Sequence, residues 1–254
     1  MRCGYFRHIE KTRNGYQGTV ACGQCLVCKE NKINDITLQL SFEARKHEHV
    51  GFLTLTYEDQ HSNFGNVSKK DVQLFFRYLR RIPGFPDFKY YGISEYSPHP
   101  SYRPHYHFCI FGIPTDLVGE ISDTWRKGFI TYEKITPGRM HYVARTHVLL
   151  NEDIPAGLEP NFRLYSNGIG KLTALDNVIN PDLTYYKTDK RTYRIPKKYK
   201  NLLNPEAKWQ ALEAAQQAYH EALKQPYSEE NYKEWAHRRL AKLTKKNNKY
   251  GKYF

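Results

Sequence analysis

One short run constrains the fold most: residues 103–112 read Arg-Pro-His-Tyr-His-Phe-Cys-Ile-Phe-Gly, with two histidines inside an apolar stretch. Because successive side chains on a β-strand point to opposite faces, His105 and His107 share one face, and Tyr106 and Phe108 share the other. Two imidazoles on a half-buried strand are costly unless something binds them. The run therefore predicts a strand whose histidine face either binds a divalent metal ion or is a polar pair facing solvent.

A second strand is predicted immediately upstream, over residues 88–96, with the Pro-rich residues 97–104 as the turn between the two. In such a hairpin Glu95 lies beside His105 or His107. Two histidines and a carboxylate make a three-ligand site with open positions for water or a substrate oxygen, as a catalytic ion requires. The alternative is a surface carboxylate at a strand end.

Apolar periodicity assigns the rest of residues 31–150. It predicts strands at 51–57 and 128–135 and helices at 31–49, 115–127 and 138–150, with one more helix from an N-cap at Ser68 to Ile82. The order helix, strand, helix, strand, strand, helix, strand, helix is typical of an α+β fold. We expect one central antiparallel sheet covered by helices on one face.

Composition divides the chain into three predicted regions. Residues 1–30 are rich in Gly and Cys and read as an irregular segment, and residues 31–204 hold the α+β domain, with long connections after residue 150. Residues 205–254 predict a helical, basic extension, with helices at 206–224 and 228–247. Its last part, residues 231–254, carries eight Lys and Arg against one Glu, which fits either a solvated face or an arm for nucleic acid or a membrane surface.

The charge of the chain favours a polyanionic partner. Lys and Arg number 39 against 26 Asp and Glu, a net charge of +13, and 21 tyrosines contribute to an aromatic content of 15%. Basic side chains displace the counterions of phosphates, and aromatic rings stack on unpaired bases, so single-stranded nucleic acid fits better than a membrane. No run approaches the roughly 18–20 apolar residues of a membrane span, and no apolar signal-peptide core follows Met1. We expect a soluble, intracellular protein.

The cysteines predict a second metal site. Cys22, Cys25 and Cys28 follow one another at intervals of three, and Cys3 lies upstream. In an intracellular chain this spacing favours thiolate ligation over disulfides, and the four sulfurs would hold a structural zinc ion. Reduced thiols packed beneath the domain are the alternative.

Tyr142 is a candidate nucleophile on the predicted helix 138–150, where Arg145 lies one turn later on the same surface. A phenol has an ordinary pKa of about 10 and attacks poorly near neutral pH. A neighbouring cation, or a metal ion that polarises the electrophile, lessens this problem. Taken alone, a helical tyrosine is more often a packing residue.

Together these motifs resemble those of the HUH endonucleases. The matching segments are Leu-Thr-Leu-Thr-Tyr at 53–57, a carboxylate ahead of Arg-Pro-His-Tyr-His at 103–107, and Tyr-Val-Ala-Arg at 142–145. The chain is most similar to replication initiators of small single-stranded DNA phages, the gokushovirus type of microvirus, and the segment at 22–25 is similar to that group as well. The resemblance covers roughly residues 1–150 and implies an RRM-like palm, a central antiparallel sheet with helices packed on it.

The resemblance implies rolling-circle initiation: nicking of one strand at an origin with Mg or Mn, leaving a free 3′-OH and a 5′-phosphotyrosine. By position, His105 and His107 match the paired metal ligands, Glu95 is the candidate third ligand, and Tyr142 matches the nucleophile. Arg145 stands where the family commonly has lysine. The implied partners are single-stranded and origin DNA, with a host helicase and polymerase, in the cytoplasm of the bacterial host.

One position departs from the family pattern. Thr146 stands where a second tyrosine is often found, so the chain resembles a one-tyrosine enzyme whose termination needs a second subunit or another residue. Three other functions remain open from sequence: a related relaxase or transposase, a phosphodiesterase with a water nucleophile, and a non-catalytic single-strand-binding protein.

Overall fold

The structure is a computed structural model that describes residues 6–9, 18–61, 65–98, 101–150, 154, 156–176, 178–183, 185–188, 192–210 and 213. It forms two compact units, one of residues 32–178 and one of residues 1–31 with 179–254. The helices and strands are, in chain order, β1 (Phe6–Ile9), β2 (Gly18–Ala21), α1 (Leu26–Ala44), β3 (Val50–Thr56), α2 (Lys69–Leu79), β4 (Lys89–Tyr96), β5 (Pro104–Phe111), α3 (Val118–Trp125), β6 (Ile130–Lys134), α4 (Pro137–Leu149), β7 (Arg163–Tyr165), β8 (Tyr185–Lys187) and β9 (Thr192–Arg194).

The unit of residues 32–178 is built on a five-stranded sheet with the order β6-β3-β5-β4-β7, in which all neighbours are antiparallel. The strand with the two histidines, β5, is therefore the central one. The predicted α+β fold with a central antiparallel sheet is confirmed, as is the predicted order of helices and strands over residues 31–150.

Helices cover both faces of this sheet, so the expectation of helices on one face was wrong. One face packs against α2 and α3 through a core that includes Phe76, Phe108 and Trp125. The opposite face packs against α1 and α4 through a core that includes Leu40, Phe111 and Val143. The physical reason is that β5 is apolar on both faces beyond its histidines, and each face needs its own cover.

Local sequence signals explain how two of the helices begin. The Ser68 side chain accepts a hydrogen bond from the Asp71 N–H at 3.2 Å, so the predicted N-cap of α2 is confirmed. Thr136 caps α4 in the same way through the Arg139 N–H at 3.3 Å, and Pro137 supplies the first helical position. This cap fixes where the helix that carries Tyr142 begins.

The second unit contains two short hairpins, β1 with β2 and β8 with β9. The expectation of an irregular segment over residues 1–30 was wrong, because this region holds the first hairpin and α1 begins at Leu26. Residues 205–210 are helical, as predicted for the extension. The rest of the predicted helices 206–224 and 228–247, the basic residues 231–254 and Cys3 fall outside the described residues, and the three domain boundaries stay predictions. Among the described helices, none has both the length and the apolar character to cross a membrane.

Candidate active site

Three adjacent strands bring the predicted metal ligands to one end of the sheet. In the register of the sheet Glu95 on β4 lies directly opposite His105 on β5, and Thr54 on β3 lies opposite His107. The predicted hairpin between residues 88–96 and 105–111 is therefore confirmed. Because Glu95, His105 and His107 alternate correctly with their neighbours, all three side chains emerge on the same face.

The three ligand atoms are spaced as a divalent cation requires. The Glu95 Oε2 lies 3.7 Å from the His107 Nε2 and 3.9 Å from the His105 Nε2, and all three ligand atoms are within 4.8 Å of one another. Around an ion with bonds of about 2.0–2.2 Å, ligands are about 3.0–3.5 Å apart, so a small contraction closes the site. One carboxylate with two imidazoles suits Mn²⁺ and similar ions, and the residues present fit such a group.

Each histidine is held by a second contact that turns its Nε2 toward Glu95. The His105 Nδ1 lies 3.1 Å from the Arg103 carbonyl oxygen, which can only accept, so Nδ1 carries the proton and Nε2 keeps its lone pair. The His107 Nδ1 lies 3.0 Å from the Thr54 Oγ1. Burial, reinforced by the charges of His105 and Arg139, lowers the pKa of His107 well below its usual value. Both imidazoles are thus prepared as neutral ligands.

Tyr142 reaches the same carboxylate from α4. Its hydroxyl donates a hydrogen bond to the Glu95 Oε2, and its ring meets the His107 ring edge-on with 5.5 Å between the centroids. Burial of the hydroxyl, together with the negative charge of Glu95, raises the pKa of Tyr142 above its usual value. Burial also raises the pKa of Glu95. In this arrangement the phenol keeps its proton, and the carboxylate is its immediate acceptor.

Arg145 and Thr146 complete the helix side of the site. The charge of Arg145 lowers the pKa of both Glu95 and Tyr142, and its Nε is buried without a hydrogen-bond partner among the described residues. A buried guanidinium N–H next to a metal-ligand cluster is suited to bind an anion such as a phosphate oxygen. Thr146 also hydrogen-bonds with both Glu95 and Tyr142, which lowers both pKa values.

Sequence reasoning missed two of these residues, Thr54 and Thr146. The only signal for Thr54 was its place in an alternating strand, and Thr146 was noted as a departure from the family pattern and given no role. Their contacts depend on strand register and on the way α4 crosses the sheet, neither of which is local in sequence.

The predicted cysteine ligands gather separately, in the unit of residues 1–31 and 179–254. Cys22, Cys25 and Cys28 each offer a sulfur within 4.8 Å of the others. Cys109, predicted to be a small core residue, is fully buried on β5.

Comparison with known proteins points to phage replication. Residues 50–147, from β3 to α4, match the family described as Replication-associated protein of the ORF2 type. The chain is 28% identical over 224 residues to Replication-associated protein ORF2 of Spiroplasma virus 4, which covers 76% of this chain and 69% of that protein.

Two further relatives match over shorter lengths. Replication-associated protein ORF4 of Chlamydia phage 1 is 25% identical over 49% of this chain and 36% of its own length. Replication-associated protein VP4 of Bdellovibrio phage phiMH2K is 28% identical over 49% of this chain and 46% of its own length. The chain thus spans less than half the length of these two relatives. No solved structure matches.

Proposed function

We propose that this chain, a relative of the phage replication-associated proteins, starts rolling-circle replication as a site-specific, metal-dependent endonuclease of the HUH type. It would nick one DNA strand at the origin and carry the 5′ end as a phosphotyrosine. The observation that supports this most is the convergence of the Tyr142 hydroxyl and two histidine Nε2 atoms on one oxygen of Glu95. A single-strand-binding protein would have no use for that arrangement.

The proposed reaction is a transesterification at phosphorus. A Mg²⁺ or Mn²⁺ ion held by Glu95, His105 and His107 would withdraw charge from the oxygens of the scissile phosphate. The Tyr142 oxygen attacks phosphorus and passes its proton to the Glu95 carboxylate, whose raised pKa makes it a stronger base than an ordinary one. The bond from phosphorus to the 3′ oxygen breaks, and that oxygen leaves with the electron pair and takes up a proton. Arg145 pairs with the phosphate charge.

The product keeps the energy of the broken bond. Because a phosphotyrosine diester replaces a DNA diester, a later 3′-OH can reverse the transfer and close a circle. Among the described residues the site holds one tyrosine, and Thr146 takes the place one turn later. Release after a full round would therefore use a second subunit or another hydroxyl.

The proposed setting follows from the same relatives. The substrate would be single-stranded DNA at the phage origin, and the net charge of +13 suits such a polyanion. The free 3′-OH would prime a host polymerase, with a host helicase opening the duplex, in the cytoplasm of the bacterial host.

The test is covalent capture. Wild-type protein, Tyr142→Phe and Tyr165→Phe are incubated with single-stranded origin DNA and Mn²⁺, with and without EDTA, and resolved on a denaturing gel. Tyr165 is a matched control because it is an exposed phenol on β7 of the same sheet. We expect a metal-dependent shifted band in wild type and Tyr165→Phe only, with DNA binding retained in all three.

Other outcomes would replace the proposal. An adduct that persists in Tyr142→Phe would move the nucleophile to another tyrosine. Cleavage without any adduct would indicate a nuclease that uses water. Absence of both cleavage and adduct, with binding intact, would favour a non-catalytic single-strand-binding protein.

A further inference from the structure

We propose that Cys22, Cys25 and Cys28 bind a zinc ion that fixes the start of α1, a site that the endonuclease reaction does not use. The Cys22 and Cys28 sulfurs are 4.0 Å apart, and all three sulfurs lie within 4.8 Å of one another. In a tetrahedral site with Zn–S bonds of about 2.3 Å, two sulfurs are about 3.8 Å apart. A disulfide would need about 2.05 Å. The spacing therefore matches ligands around one ion and does not match a covalent bond.

Backbone amides are aimed at one of these sulfurs. The Gln24 N–H and the Cys25 N–H both donate to the Cys22 Sγ, at 3.4 and 3.3 Å. Gly23 makes this turn possible, because its φ of +78° lies in the left-handed region that other residues rarely adopt. Two converging N–H donors stabilise a negative sulfur far more than a neutral thiol, and the thiolate is the form that binds metal.

The other two sulfurs sit at the positive end of a long helix. The Cys25 carbonyl accepts the first helical hydrogen bond, from the Lys29 N–H at 2.9 Å, and Cys28 lies in the first turn of α1. This 19-residue helix has no acidic side chain in its first turn. Thiolates of Cys25 and Cys28 would supply the negative charge that a helix N-terminus favours.

Three thiolates leave one corner of a tetrahedral site. Cys3, the fourth member of the set predicted from sequence, lies outside the described residues and is assigned to that corner by sequence alone. A closed four-sulfur site would be structural, because it leaves no position for a substrate.

The experiment measures metal in the full chain purified without chelators. We expect close to one zinc per chain after gel filtration in EDTA, and at least a tenfold loss of zinc in Cys25→Ser and in Cys28→Ser. Cys109→Ala is the matched control, since it removes a buried thiol elsewhere and should keep its zinc. The double variant His105→Ala/His107→Ala should also keep its zinc, which separates this ion from any ion in the active site.

Cobalt substitution of the wild-type chain gives a second measurement that requires no variant to fold. Co²⁺ should produce the visible bands of a tetrahedral site with strong sulfur-to-cobalt charge transfer. The same spectrum of Cys3→Ser tests the fourth ligand: weakened charge transfer supports the four-sulfur set, and an unchanged spectrum overturns it. A wild-type chain without zinc or charge transfer would overturn the whole proposal, as would zinc that disappears with the histidines and survives the loss of Cys25.

Discussion

Replacing Thr54 by valine tests whether the histidine cluster is a metal site with a functional second layer. Valine has nearly the shape of threonine and suits a strand, so the change removes little besides the hydroxyl that lies 3.0 Å from the His107 Nδ1. His107 is only 4% exposed, so water cannot readily replace the lost partner. Loss of such an orienting contact typically weakens metal binding about 10- to 100-fold, or about 1.4–2.8 kcal/mol. We expect a reduction of that size in Mn²⁺ affinity.

The assay is titration of the purified chain with Mn²⁺, read by calorimetry and by the electron paramagnetic resonance signal of free Mn²⁺. Thr131→Val is the matched control, because Thr131 on β6 lies directly opposite Thr54 in the sheet and is exposed. It makes the same chemical change one strand further from His107. Thr54→Val affinity within twofold of wild type would refute the reasoning, and an equal loss in both variants would show that the effect is not specific to His107.

Three further predictions concern charge. Stability should fall as pH decreases below about 6.5, by at most about 3 kcal/mol, because burial lowers the pKa of His147 to about 4 and the unfolded chain takes up the proton first; urea unfolding of wild type and His147→Gln across this range measures it, and equal slopes would contradict it. Removing residues 231–254 should flatten the salt dependence of single-stranded DNA affinity, since fewer counterions are released; an unchanged slope in salt titrations would mean that this segment does not contact DNA. Tyr142→Phe should bind Mn²⁺ a few times more tightly than wild type in the titration above, because the Glu95 Oε2 loses a hydrogen bond that occupies it; weaker binding would mean that the phenol supports the cation site.

The sheet was largely predictable because its signals are local. Alternation in residues 51–57 and 105–111 identifies two strands, and the Pro-rich turn sets a register that places Glu95 opposite His105. The second covered face was not predicted, because a fully buried strand gives no alternation to count. The start of α1 was missed for a related reason: Cys25 and Cys28 drew attention as ligands, although they also occupy the cap and first turn of the helix.

The site was predictable only in part. Two histidines at i and i+2 with a carboxylate in the paired strand can be read from sequence, since strand geometry alone brings them together. Tyr142 could be chosen among 21 tyrosines only through the family resemblance. The contacts of Tyr142 and Thr146 with Glu95 depend on α4 crossing the sheet at a particular height, and that height is set by packing of Met140, Val143 and Ala144.

The Glu95 Oε2 links the two halves of the site. It is the oxygen nearest both histidine Nε2 atoms and also the acceptor for the phenol proton. Burial raises the pKa of Glu95, so a bare carboxylate is unfavourable here and needs a positive partner or a donor. A hydrogen bond from Tyr142 meets that need when no cation is bound, and a cation meets it more strongly. The two therefore compete for one oxygen, and we infer that the phenol is held in reserve, protonated, until the cation site fills.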